Sequence, residues 1–199
     1  MALIPMLCAV ALASAGTGGQ VEEQGFYAAV RGSHVWFPAA YTADGAHAAI
    51  EVGHGVGEVL TAGLLLAAGG HDAAHYAVQA EDPAASGPPG DFTLLRAGAV
   101  GRARWRMGIV GLGGRAEVAF AHWASPFATQ AWRQTVRPLL GDGRHKSGAG
   151  LQAGASAEFS LFFGDPGPAL VLSFDPGYVL AGDLVGFTTG ASLALTTPF

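Results

Sequence analysis

The chain has 199 residues, enough for one domain; half are apolar and only 13% charged, where a soluble domain carries roughly 25%. A net charge of −5 argues against a nucleic-acid surface, and a mean hydropathy of +0.34 points toward lipid. The best internal candidate for a membrane helix, "VLTAGLLLAA" at 59–68, falls short of the roughly 18 to 20 apolar residues a spanning helix needs.

In chain order, "ALIPMLCAVALA" followed by "ASAG" predicts an export signal over 1–15, cleaved after Ala15, with a mature part over 16–199. The single cysteine, Cys8, falls inside that signal, which excludes a disulfide framework and a cysteine metal site from the mature part. Residues Pro5, Met6 and Leu7 lack the small residue that a lipoprotein signal places just before its cysteine.

Gly accounts for 31 residues, which disfavours long helices, and Gly and Pro gather between β-rich stretches. Alternation predicts eight strands, near 25–35, 46–67, 73–80, 92–110, 115–123, 148–163, 168–175 and 185–199. The connections then alternate between long, such as "EDPAASGPPGD", "ASPFATQAWRQTVRPLLGDGRHKS" and "DPGYVLAGD", and tight, such as "AAGGH", "GLGG" and "GDPGP". Glu58 and His54 share parity with Ile50 and Val52, so a turn or bulge near Gly55, and with it a count of ten strands, is the alternative.

The stretch "LQAGASAEFSLFF" at 151–163 shows the period of two most plainly. Leu151, Ala153, Ala155, Ala157, Phe159, Leu161 and Phe163 make one apolar face, while Gln152, Gly154, Ser156, Glu158 and Ser160 make a small or polar one. A chain that is apolar overall, yet alternates in this way, fits an all-β antiparallel transmembrane barrel with one face to lipid and one to its lumen. The last strand alternates too, with Phe187, Thr189, Ala191, Leu193 and Leu195 opposed to Gly186, Thr188, Gly190, Ser192 and Ala194, and ends in Phe199.

Strand count, signal and terminal aromatic together resemble the small eight-stranded outer-membrane barrels of the outer membrane protein A membrane-domain type. That resemblance implies residence in a Gram-negative outer membrane, contact with its lipid, and a closing strand read by the outer-membrane assembly machinery. Thr197 and Pro198 depart from the usual terminal pattern.

Eight strands leave a lumen that side chains fill, so inward charges must pair. The alternation places Glu51, Arg96, Arg104, Arg106, Glu117 and Glu158 inside, and the expectation is an ion network that plugs the barrel; a narrow pore is the alternative. The long connection at 124–147 carries Trp132, Arg133, Arg137, Arg144, His145 and Lys146, cations and aromatics suited to lipopolysaccharide phosphates or another surface partner.

Two enzymatic readings compete with a structural or surface-binding role. "EVGHGVG" at 51–57, leading into an apolar segment and followed by Glu81 or Asp82, resembles the first motif of Rossmann-type methyltransferases that use S-adenosylmethionine. His122 and Ser125, in "AHWAS", resemble the His and Ser with which some eight-stranded barrels hydrolyse lipid A, although the spacing is not the family's and no acid is assigned. Otherwise His122 is an interfacial histidine beside a girdle tryptophan, Trp123. "HDAAH" at 71–75 places its imidazoles about 13 Å apart on an extended chain, too far for one metal ion. No cofactor, metal or catalytic residue is therefore assigned, and no nucleic-acid partner is expected.

Overall fold

A computed structural model describes residues 25–37, 43–56, 60–73, 92–124, 147–164, 167–182 and 184–198. They form strands β1 (Phe26–Phe37), β2 (Ala43–Gly55), β3 (Leu60–Ala73), β4 (Phe92–Met107), β5 (Val110–Ala124), β6 (Ser147–Phe162), β7 (Ala169–Phe174), β8 (Gly177–Ala181) and β9 (Leu184–Pro198). Every pairing is antiparallel between neighbours, and β1 pairs with β9, so the sheet closes on itself and leaves no free edge.

The ring has eight places. Strands β7 and β8 occupy one of them: both pair with β6 on one side and β9 on the other, and the register runs unbroken from Phe174↔Ala157 to Gly177↔Gly154. Their separation is the work of Pro176. The Ala155 amide donates to the Pro176 carbonyl at 3.0 Å, but proline has no N–H to return to the Ala155 carbonyl, so this ladder lacks one bond.

Two boundaries differ from the sequence expectation. The apolar stretch 46–67 is not one strand but the hairpin β2–β3, turning after Gly55, where the Val56 amide donates to the Leu60 carbonyl at 2.6 Å. The turn near Gly55 is thus present, the described strands fill eight places and not ten, and "AAGGH" belongs to β3 instead of forming a connection. The expected strand at 73–80 lies outside the described residues beyond Ala73. Likewise "DPGYVLAGD" is mostly wall, as β8, and reverses at Gly182, whose φ of 59° only glycine adopts freely. No helix occurs among the described residues, so the methyltransferase reading fails: the described part of its glycine motif, 51–56, is the end of barrel strand β2 and the residue after it.

Side chains sort strictly by parity. On β6 Leu151, Phe159 and Leu161 lie outside, while Gln152, Ser156, Glu158 and Ser160 are buried inside. Every other strand does the same, so the buried residues fill the lumen and the large exposed apolar residues, such as Val30, Ile50, Leu64, Val118 and Phe187, cover the outer wall.

The lumen is layered along its axis. At the end where β1 and β5 finish and β4 and β9 begin, Phe37, Phe92, Leu94, Trp123, Val179 and Leu184 form an apolar cap. Trp123, expected in an outer girdle, is instead completely buried here, and its Nε1 donates to the Ala181 carbonyl at 2.7 Å. It lies over Gly148, where any side chain would collide with the indole. At the opposite end Phe162 lies beneath the Arg104 and Arg106 guanidiniums, 5.7 and 4.5 Å from its ring centroid.

Candidate functional site: the charged lumen

Between the two ends, β1, β2, β4, β5 and β6 each send charged side chains inward at alternate positions. Glu51 is fully buried and lies among three guanidiniums: Arg31 Nε at 3.3 Å, Arg102 Nη2 at 2.9 Å and Arg115 Nη2 at 2.7 Å. Glu158 lies 2.9 Å from Arg31 Nη2, 2.9 Å from Arg102 Nε and 3.5 Å from Arg104 Nη2. Glu117 joins Arg96 and Arg115, each at 2.7 Å.

Arg31 is the hub of one side. Besides its two glutamates, its Nη1 donates to the hydroxyls of Ser173 and Ser192 at 2.6 Å each, tying β1 to β7 and β9. Arg102 also lies over the Tyr27 ring at 5.2 Å. Charge buried at this depth is tolerated only when paired and hydrogen-bonded, and here every carboxylate faces at least two guanidiniums.

A second polar pair stands between this network and the cap. His47 on β2 and His71 on β3 meet Nε2 to Nε2 at 2.6 Å, both buried. Arg96 Nη2 donates to His47 Nδ1 at 3.3 Å, which fixes the tautomer: His47 Nε2 carries the proton and His71 Nε2 accepts it. Opposite each imidazole stands a glycine, Gly69 across from His47 and Gly45 across from His71, where a Cβ would strike the ring.

Of the six inward charges read from sequence, Glu51, Arg96, Arg104, Glu117 and Glu158 meet in this network. Arg106 sits apart at the turn end, donating to the carbonyls of Gly108 and Gly164 at 2.8 Å. Arg31, Arg102 and Arg115 were missed, yet the same alternation finds them: Arg102 shares the parity of Arg96 and Arg104, Arg115 that of Glu117, and Arg31 that of Tyr27 and Ala29. The surface candidates Trp132, Arg133, Arg137, Arg144 and Lys146 lie outside the described residues, as does Ser125. His122 is on the outward parity of β5, opposite to the buried Trp123.

Guanidiniums hold their protons at any working pH, so each carboxylate here faces fixed positive charge. The chemistry of this network is therefore electrostatic cross-bracing of the wall.

The crystal structure of Neisserial surface protein A superposes with a TM-score of 0.62 at 14% identity, covering 88% of this chain and 98% of that one. The fold is that of the small outer-membrane β-barrels. The outer membrane enzyme PagL superposes with a TM-score of 0.51 at 9% identity, over 86% of this chain and 99% of that one. At such identities the likeness concerns the fold alone. The sequence itself matches no known family profile and no curated protein.

Proposed function

We propose that the protein spans a bacterial outer membrane as a closed barrel, contributing to envelope structure or surface binding, with its lumen plugged by the ion network. The observation that carries this reading is the outer wall. On β2 the outward residues between Asp44 and His54 are Ala46, Ala48, Ile50 and Val52, and on β6 the outward face from Leu151 to Leu161 carries no charge. Ten residues of strand rise roughly 33 Å, or about 25 Å along the axis of a barrel tilted near 40°, which matches the apolar band of outer-membrane barrels. Outward polar residues return at the rim, with His34, Asp44, Asp72, Thr93 and His122 near the long connections.

In this reading outer-membrane lipid is the solvent of the wall, and the closing strand is the segment presented to the assembly machinery. The cationic, aromatic connection carrying Trp132, Arg133, Arg137, Arg144 and Lys146 is the surface that meets lipopolysaccharide or another surface partner. Cell fractionation tests the placement. The folded protein belongs in the outer-membrane fraction, with faster gel mobility before heating than after, and no conductance in planar bilayers. Recovery in a soluble fraction would end the membrane reading, and steady single-channel conductance would end the plugged one.

A further inference from the structure

Between the ion network and the apolar cap lies a cavity of about 40 Å³. Its walls include Arg96 and Arg115 from one side of the barrel, Gln152 and Ser156 from β6, and Asp175 beside the Pro176 break. Four buried polar atoms on these walls have no hydrogen-bond partner among the described residues: Arg96 Nε, Arg115 Nε, Gln152 Oε1 and Asp175 Oδ1. The first two only donate and the last two, as placed, only accept.

The backbone around Asp175 is fixed by two hydrogen bonds. The Asp175 amide donates to the Gly190 carbonyl at 2.8 Å, and the Pro176 carbonyl accepts from Ala155 at 3.0 Å. A simple anion would suit the guanidiniums but meet the Asp175 carboxylate, and a cation would meet the reverse conflict. A ligand that both donates and accepts satisfies all four atoms.

We infer that this cavity is a resident hydration site, holding a small cluster of water that bridges Asp175 and Gln152 to Arg96 and Arg115. At roughly 10–15 Å³ per ordered water, the space takes about three, each with the two to four polar partners that make a buried water stable. The cluster bridges β6 and the Asp175 wall to Arg96 on β4 and Arg115 on β5, beside the Pro176 break. This inference concerns the interior only and stands whichever membrane the barrel occupies.

A high-resolution crystal structure of the full chain, paired with a bromide-soaked crystal, tests it. The expected result is two to four ordered waters within hydrogen-bond distance of Asp175 Oδ1 and of the Arg96 and Arg115 Nε atoms, with no bromide peak. In Gln152→Leu, which removes one water partner, the cluster should lose at least one member while the barrel still shows heat-modifiable mobility. A bromide peak among the arginines, a dry cavity, or Asp175 directly paired with Arg96 or Arg115 would each overturn the inference.

Discussion

Arg31 on β1 and Glu158 on β6 meet at 2.9 Å across the lumen, although their strands share no hydrogen bond. Arg31 also faces Glu51 on the neighbouring β2, so one guanidinium links two carboxylates from opposite parts of the wall. This is cross-bracing that a sheet alone cannot supply.

Glu158→Gln removes a carboxylate shared by Arg31, Arg102 and Arg104 and leaves buried positive charge poorly compensated. A loss of about 3–5 kcal/mol is expected, read from urea unfolding in lipid vesicles. Arg31→Gln should lose a similar amount, because it also removes the Nη1 group that donates to the Ser173 and Ser192 hydroxyls. Combining the two changes should cost clearly less than their sum, since both act on one network.

Trp123→Ala empties the middle of the cap and frees the Ala181 carbonyl. The expected cost is about 3–5 kcal/mol in the same unfolding measurement. A change below about 1 kcal/mol would mean that the indole packs against the wall and does not fill the lumen.

Pro176→Ala restores an N–H opposite the Ala155 carbonyl. Repairing a bond in a wall that cannot borrow water from lipid should outweigh the roughly 0.4–1 kcal/mol gained by proline through the unfolded chain. A higher urea midpoint and a slowly exchanging new amide at position 176 are the expected readings. A lower midpoint with fast exchange would show that the local backbone is set by something besides the missing donor.

Gly45→Ala and Gly32→Ala separate inward from outward glycines. At Gly45 a Cβ meets the His71 ring and the Gly70 carbonyl, whereas at Gly32 nothing lies within 4 Å. The first change should destabilise by about 1–3 kcal/mol and the second by less than about 0.5 kcal/mol, both by urea unfolding.

Much of this is legible in the residue pattern because a strand's period is two and the closed barrel separates a lumen face from an outer face. The faces of "LQAGASAEFSLFF" and of the last strand follow from alternation alone, as do the inward positions of Glu158, Glu117 and Arg96. Alternation alone misses two boundaries. In 46–67 the outward apolar residues keep even numbers on both β2 and β3, so alternation runs through the turn after Gly55, and only His54 and Glu58 on that parity pointed to it. The proline and glycine of "DPGYVLAGD" look like a loop by composition, yet the partners on β6 and β9 keep the segment in the wall.

Alternation along single strands therefore determined the all-β class, the outward apolar face and which charges point inward. Only the closed ring decided which of those charges meet. Glu51 finds Arg102 and Arg115 through the staggered register of strands up to 64 residues apart, and no local period encodes that distance. Closure also made Trp123 a lumen cap: its parity follows from the strand, but only the walls brought together by the barrel give the indole a cavity to fill and a carbonyl to bond.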